Sequence, residues 1–240
     1  MKNLKYNRNL AFGLIILTMS IFYGCFGSIS GSGPIISKSK NVGQFTEITL
    51  EIPAKITLVI ADSAGCGITA QQNIIDNIEF KLNGDKLRIT SKHNFRTDKA
   101  VEITLATSTL EQIKINGSGD IIVLNPIKGS SLDLAINGSG NISVNAFMDE
   151  IVSKINGSGD IIIGGKAATH RIDLNGSGNL KGYELIVEKC EVNIKGSGNA
   201  ELNASSSLDA ELIGSGNVSY KGSPAIKSNI TGSGTLTKIN

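Results

Sequence analysis

The sequence contains no tryptophan, and aromatic residues make up only 5% of its 240 residues. Aromatic rings usually supply the apolar contact of a sugar-binding surface, so this shortage weighs against a sugar-binding platform. The formal net charge is only +2, and past the N-terminus the Lys and Arg residues are scattered singly among carboxylates. A nucleic-acid-binding protein would carry a basic stripe, so the charge pattern argues against a nucleic-acid partner.

Cysteine is also scarce, with 3 residues. Cys66 and Cys190 could pair in an exported protein, but nothing in the sequence places them within bonding distance of each other. Cys190 lies in phase with Val192 and Ile194, which predicts that it is a small buried hydrophobic side chain.

Proline is rare, with 4 residues, whereas glycine is abundant, with 28. The phrase INGSGD stands at 115–120 and at 155–160, with INGSGN at 136–141 and LNGSGN at 174–179. Gly-Ser-Gly recurs at intervals of 21, 19, 19, 20, 18 and 18 residues, which makes it an internal repeat with glycines at regular turn positions. Its first glycines are Gly117, Gly138, Gly157, Gly176, Gly196, Gly214 and Gly232.

Two apolar columns flank the repeated tripeptide. The positions between apolar residues are mostly polar, which gives the period-two alternation of a strand with one buried face. The column before the tripeptide holds Ile115, Ile136, Ile155, Leu174, Ile194, Leu212 and Ile230. The column after it holds Ile121, Ile142, Ile161, Leu180, Ala200, Val218 and Leu236.

Each unit of the repeat therefore predicts two short strands that meet at a Gly-Ser-Gly corner. Such a unit cannot bury its own apolar face, but stacked units pair every strand in parallel with its counterpart in the next coil. The sequence predicts an all-β fold, a parallel β-helix or solenoid of about seven coils of 18–21 residues over 111–240. The alternative is an antiparallel meander or propeller, although hairpins commonly use two-residue turns such as Asn-Gly.

Polar side chains recur beside each corner. The asparagines before it should stack as a ladder, and they are Asn116, Asn137, Asn156 and Asn175. A second ladder should form from the Asp or Asn residues after it, which are Asp120, Asn141, Asp160, Asn179, Asn199 and Asn217. Because Asp and Asn interchange there, we expect turn chemistry in which either side chain bonds nearby backbone.

Residues 34–110 are predicted to form a strand-rich part that does not follow the register of the repeat. Alternating segments predict strands, and Asn83-Gly84-Asp85 predicts a hairpin between two of them. We expect this part to cap one end of the solenoid, because an open end exposes a strand edge. The predicted strands are 45–52, 54–61, 78–82, 86–91 and 100–106.

The one long hydrophobic run is at the N-terminus. Lys2, Lys5 and Arg8 precede the apolar segment LAFGLIILTMSIFY at 10–23. That segment is short for a membrane-spanning helix and has the layout of a secretory signal. The sequence therefore predicts an exported protein with a signal peptide over 1–24.

Phe22-Tyr23-Gly24-Cys25 resembles a bacterial lipobox, in which the cysteine receives lipid and becomes the mature N-terminus. The resemblance implies lipidation at Cys25 and a membrane partner reached through this lipid anchor. The protein would then lie in the cell envelope, at the outer membrane, on its periplasmic or its external side. Residues 25–33 would act as a flexible tether. The alternative is an ordinary signal peptide in which Cys25 carries no lipid.

The opening GSGPIISKSKNVGQFTEITLEIPAKITLVI, the pair IEFKLNGDKLRIT and the following I-x-I-x-G-S-G-[DN]-[IL] units together resemble the "putative auto-transporter adhesin, head GIN domain" family. The resemblance covers the chain from about Gly31 to the C-terminus. It implies an exported protein of Bacteroidetes-type bacteria, often a lipoprotein, with a β-helical fold and no established activity.

The chemistry-bearing residues do not form a recognisable catalytic or metal motif. Asp120 and Asp160 stand at equivalent corners, but a glycosidase needs two carboxyls at a defined separation. One Asp or Asn per corner is too few for the calcium sites of β-roll repeats. Only His93 and His170 could act as histidine bases, and the inward position of His170 predicts a hydrogen-bonded core or rim residue. We expect no catalytic residue, no metal ligand and no cofactor.

These observations favour a non-catalytic, envelope-anchored β-helical module that binds a surface glycan or a protein of unknown identity. A carbohydrate-active β-helix enzyme is one alternative, and a structural or envelope-stress protein without a ligand is another. The ligand-binding residues are not predicted by the sequence.

Overall fold

The structure is a computed structural model that describes residues 28–239. Its N-terminal part contains nine strands and one short helix, namely β1 Ile29–Ser30, β2 Ile35–Lys40, β3 Glu47–Leu50, β4 Lys55–Ile60, β5 Gly65–Gln71, α1 Gln72–Asn77, β6 Ile78–Asn83, β7 Lys86–Ser91, β8 Phe95–Arg96 and β9 Glu102–Thr107. The repeat contains β10 Gln112–Gly117, β11 Asp120–Val123, β12 Ile127–Gly138, β13 Asn141–Gly157, β14 Asp160–Gly176, β15 Asn179–Gly196, β16 Asn199–Gly214, β17 Val218–Lys221, β18 Ala225–Gly232 and β19 Leu236–Lys238.

The repeat forms a parallel β-solenoid, as the sequence predicts. The long strands from β12 to β16 pair in parallel, each with the strand that follows it in this series. The register follows the repeat, since Ile136 pairs with Ile155 and Ile155 with Leu174. The antiparallel alternative is therefore wrong for this part of the chain.

The core is one continuous column of side chains along the solenoid. Ile136, Ile155 and Ile194 are each no more than 1% exposed. Every second residue points inward because successive side chains of a strand alternate between its two faces. The exceptions are in the last coil, where Ile230 is 40% exposed.

The N-terminal strands continue the solenoid, which corrects the expectation that they lie outside its register. β3 pairs in parallel with both β7 and β10, and β4 pairs in parallel with both β9 and β11. The strands β3 and β4 thus form a coil between the pair β7 and β9 and the first repeat unit. Their alternation puts Ile48 and Ile56 in the inward columns, although no Gly-Ser-Gly stands between them.

Antiparallel strands cover this end of the solenoid. β5 pairs antiparallel with β9, β6 pairs antiparallel with β7, and β2 pairs antiparallel with β5. β6 and β7 are joined by a tight turn in which Gly84 has φ +62°, at the position where the sequence predicts a hairpin. The strand-rich N-terminal part is therefore confirmed.

Residues 29–32 are bonded to this cap. β1 pairs in parallel with β8, and Asn73 bonds the backbone of Ser30 and Ser32 through its side chain at 2.7 and 2.9 Å. These residues fall within the stretch 25–33 that we expect to be a flexible tether. From Ile29 onward they are instead bonded to the cap. Within residues 28–239, no helix has the length and apolar character needed to cross a bilayer.

Candidate functional site

The Gly-Ser-Gly corners are structural joints. Gly157 has φ +139°, a conformation that a side chain disfavours, and a Cβ there would overlap the carbonyl oxygen of Gly138. The N–H groups of Ser158 and Gly159 donate to that same oxygen at 2.9 and 3.3 Å. Glycine is required because the backbones of successive coils touch at the corner.

The predicted asparagine ladder is present beside the corners. Asn137 donates its Nδ2 to Asn116 Oδ1 at 2.9 Å, Asn156 donates to Asn137 at 3.0 Å, and Asn175 donates to Asn156 at 3.1 Å. These amides satisfy one another along the axis, so they act as structural groups.

The second ladder also runs from coil to coil. Asp120 Oδ1 accepts the backbone N–H of Asn141 at 3.1 Å, and Asn141 Oδ1 accepts that of Asp160 at 3.1 Å. Side chains therefore bond the backbone of the next coil rather than their own turn, which corrects the expected turn chemistry. Asp120 and Asp160 are kept apart by Asn141, so the structure does not bring them together as a carboxyl pair.

Asp160 is held as a carboxylate in this ladder. Burial raises its pKa, but hydrogen bonds from Lys181 at 2.8 Å and from the side chain of Asn179 at 2.9 Å outweigh burial and lower the pKa below its usual value. A carboxyl that is ionised and already bonded to a cation is poorly suited to donate a proton as a general acid.

His170 is a core residue. It is 2% exposed, and its Nε2 lies 2.9 Å from the hydroxyl oxygen of Ser153, which is 0% exposed. Burial lowers the pKa of His170 to about 3. The predicted hydrogen-bonded core histidine is confirmed, and this Ser–His pair cannot reach a substrate in solvent.

The two described cysteines are free and buried. Burial raises the pKa of Cys66 to about 11 and that of Cys190 to about 12. Both thiols are therefore protonated and unreactive at neutral pH. Cys25, the predicted lipidation residue, lies outside the described residues.

A cleft on the outer face opens where the regular coil is interrupted. The pairing of β15 with β14 and with β16 shifts register after Lys181, so β15 carries extra residues there. Gly182 is buried at the start of this bulge, and a Cβ on it would lie 2.9 Å from the carbonyl oxygen of Glu201. The following residue, Tyr183, is consequently pushed out over the neighbouring coil as a half-buried side chain.

Tyr183 makes two contacts with residues of later coils. Asn203 donates its Nδ2 to the carbonyl oxygen of Tyr183 at 3.2 Å, and the Lys221 amine lies 4.9 Å from the centre of the tyrosine ring. The second contact is within cation–π range. The Lys221 amine therefore contacts one face of the ring, and the backbone of Tyr183 is bonded to the neighbouring coil.

The cleft has a volume of about 390 Å³, which is within the range of small-ligand sites. Its walls combine an apolar strip with amides, hydroxyls and charges. They are formed by Val123, Ser143, Val144, Asn145, Ile162, Ile163, Gly164, Lys181, Tyr183, Glu184 and Glu201. The arrangement can hold a polar molecule against one aromatic ring.

The sequence did not predict this cleft, because the shortage of aromatic residues argued against a sugar-binding surface. The available signal was the insertion KGYELI at 181–186, which carries a tyrosine in a unit of 20 residues. Within residues 28–239, no group of three or more His, Cys, Asp or Glu side chains is placed to hold a metal ion.

These features define a capped parallel β-solenoid with structural corners and a cleft on its outer face. The chain belongs to the family described as "putative auto-transporter adhesin, head GIN domain", which matches residues 44–224. No curated protein matches the chain.

Solved structures of the same fold come from species of Bacteroides and Parabacteroides. A "putative adhesin" from Bacteroides fragilis is 25% identical, with a TM-score of 0.83 over 88% of this chain and 100% of its own. A "putative lipid binding protein" and a "putative adhesin", both from Parabacteroides distasonis, are each 24% identical. Their TM-scores are 0.76 and 0.72, and each match covers 89% of this chain and 100% of the other.

Proposed function

We propose that the protein is an exported adhesin that binds a polymer of the cell surface or cell envelope through the outer face of its solenoid. The observation that carries the proposal is the cleft at Tyr183, where a half-buried ring in contact with Lys221 lies beside hydrogen-bonding and charged groups. Membership of an adhesin family supports the same class of function.

A saccharide is the ligand class that this cleft fits best. Sugars present an apolar ring face that stacks on aromatic side chains and hydroxyls that bond amides and carboxylates. Tyr183 supplies the first kind of contact, and Asn145, Glu184 and Glu201 supply the second.

The solenoid also suits a polymer that extends beyond the cleft. Coils repeat at the strand spacing of about 4.8 Å, so the outer face offers equivalent polar groups at regular intervals. A long chain could contact several coils at once, and several weak contacts would then add to useful affinity.

We further propose that Cys25 carries the lipid that holds the protein at the membrane. The basic residues, the apolar segment 10–23 and the Gly24-Cys25 pair support this anchor. Each buried acyl methylene contributes ~0.8 kcal/mol, so two or three acyl chains would retain the protein at a membrane.

The proposal is tested by screening the full chain, purified in detergent, against a glycan array and against an envelope protein extract. We expect retention of one class of glycan without any change in its size. Cleavage of the bound polymer would instead identify a carbohydrate-active enzyme. A protein that bound neither glycans nor proteins would have a structural role, and the adhesin proposal would be wrong.

A further inference from the structure

In the part of the chain that the structure describes, the last coil of the solenoid leaves one strand edge unpaired. All eight residues of β18 are exposed, and Ile226 and Ile230 are 45% and 40% exposed. One coil earlier, Leu208 and Leu212 occupy the same two columns and are each 1% exposed. Within residues 28–239, β18 pairs only with β16, and β19 pairs only with β17.

The other end shows how this fold closes a coil. There β5 and β6 run antiparallel along β9 and β7, and they cover the terminal strand edges. An open parallel coil of this protein therefore accepts an antiparallel strand as its last partner.

The direction of the free backbone groups at the open end follows from the register. In a parallel ladder, a residue turns its N–H and C=O to the same neighbouring strand, and successive residues alternate between neighbours. Asp133 donates its N–H to Glu111 of the preceding coil at 2.8 Å, and Lys227 occupies the column of Asp133. Within Ile226–Ile230, the residues that turn their backbone groups to the open edge are therefore Ile226, Ser228 and Ile230. The carbonyl of Gly232 faces the same edge, because Gly214 in its column accepts the N–H groups of Ser233 and Gly234 from the next coil at 2.9 and 3.1 Å.

We propose that two copies of the chain join at their C-terminal ends, with β18 of one copy antiparallel to β18 of the other. A two-fold axis at Ser228 would place Ser228 opposite its own copy and Ile226 opposite Ile230. The backbone groups of Ile226, Ser228 and Ile230 are then paired, and both isoleucines continue the apolar columns of the core, whereas the carbonyl of Gly232 lies outside the pairing. This is an isologous contact of the kind that closes a dimer.

Charge supports this register. Lys227 lies opposite Asn229 in the pairing, so no two like charges face each other directly. Lys227 is also bonded within its own chain to Asp209 at 2.8 Å, and this partner remains available in the dimer. If the axis is moved by two residues in either direction, at least one of Ile226, Ser228 and Ile230 faces a residue outside β18, which runs from Ala225 to Gly232.

The dimer is tested by sedimentation of the full chain in detergent over a range of protein concentrations. We expect a concentration-dependent dimer. Ser228→Pro removes an N–H that is free in the monomer, and Ile230→Lys puts a charge in the apolar column. Each should raise the dimer Kd by about tenfold or more without changing the circular dichroism spectrum. A full chain that is monomeric throughout, or variants that dimerise as well as the wild type, would overturn the proposal.

Cross-linking tests the register without relying on the folding of those variants. Residues facing each other in a hydrogen-bonded antiparallel pair have Cα atoms about 5.5 Å apart, a separation that a disulfide can span. Ser228→Cys should therefore give a covalent dimer under mild oxidation. The matched control is Ser177→Cys, an exposed corner residue that should remain monomeric. Equal cross-linking of the two variants would contradict the two-fold at Ser228.

Discussion

At the residue scale, the alternation of a strand gives neighbouring side chains very different energetic roles. Ile155 is 1% exposed between the inward residues Ile136 and Leu174, whereas Lys154 points to solvent. The apolar column is continuous, so a truncated side chain leaves a cavity that two neighbouring coils cannot readily close.

Ile155→Ala should lower the free energy of unfolding by about 2 to 5 kcal/mol, through lost burial and the cavity left behind. The matched control Lys154→Ala should change it by less than about 0.5 kcal/mol. Denaturant melts of both variants provide the measurement, and equal effects would mean that the assigned inward face is wrong.

The buried pair of Ser153 and His170 makes stability depend on pH. The pKa of His170 falls from 6.5 to about 3 in the fold because burial disfavours the charged ring. Between these two values the unfolded chain binds a proton that the folded chain does not. Stability from this residue is thus complete above about pH 6.5 and lost as the pH falls toward 3, by about 1.4 kcal/mol per pH unit.

This slope can be assigned to His170 by substitution. The double variant Ser153→Val with His170→Leu replaces both partners by apolar groups, and it should flatten this part of the pH dependence in denaturant melts between pH 4 and 7. His93→Gln is the control, since His93 is exposed, and it should keep the wild-type slope. An unchanged slope in the double variant would rule out His170 as its source.

At the scale of the element, the corner is the part that the sequence predicts most completely. A repeated Gly-Ser-Gly between alternating segments indicates both the turn and the inward columns on either side. The repeat pattern does not identify the coil of β3 and β4, because residues 51–54, EIPA, form its corner without that tripeptide. Its place depends on pairing with β7, β9, β10 and β11, which no local pattern encodes.

A corner glycine should be far less tolerant of substitution than a strand glycine that has room for a Cβ atom. Gly157→Ala should cost about 1 to 3 kcal/mol or more, because it combines a strained φ with overlap on Gly138. Gly129→Ala is the control, since a Cβ there would make only an ordinary contact, 3.5 Å from the Met148 sulfur. It should stay within about 0.5 kcal/mol. Similar losses in denaturant melts would show that the corner is not a tight joint.

The Tyr183 cleft is also an element-scale feature that composition could not predict. The composition gives the number of aromatic rings, but it does not give the position of any one ring in the fold. A bulge in β15 and the amine of Lys221 place this one ring on the outer face.

At the scale of the whole molecule, the proposed lipid anchor and the proposed binding site belong to different parts of the chain. The described residues begin at 28, close in sequence to the predicted lipid attachment at Cys25. Because β1 is bonded to the N-terminal cap through β8, a lipid at Cys25 would hold the capped end of the solenoid near the membrane. The open C-terminal end would then be directed away from it.

Cys25→Ala should abolish incorporation of a fatty-acid probe when the full chain is expressed in a diderm bacterium, and it should release the protein from the membrane fraction. Cys190→Ala is the control, because Cys190 is buried, and it should be labelled like the wild type. A wild-type chain that takes up no lipid would mean that the N-terminal segment is an ordinary signal peptide or an uncleaved anchor.

We propose that the outer face binds a surface polymer through the Tyr183 cleft. The most direct test is to measure the equilibrium affinity of one retained glycan for the full chain and for two variants that each lack one aromatic ring. Tyr183→Ala should weaken binding by about tenfold or more, the effect of losing one stacked ring. Phe147→Ala removes a ring that is 46% exposed outside the cleft, and it should leave the affinity unchanged. Equal affinities for the wild type and Tyr183→Ala, or an equal loss in both variants, would contradict the account.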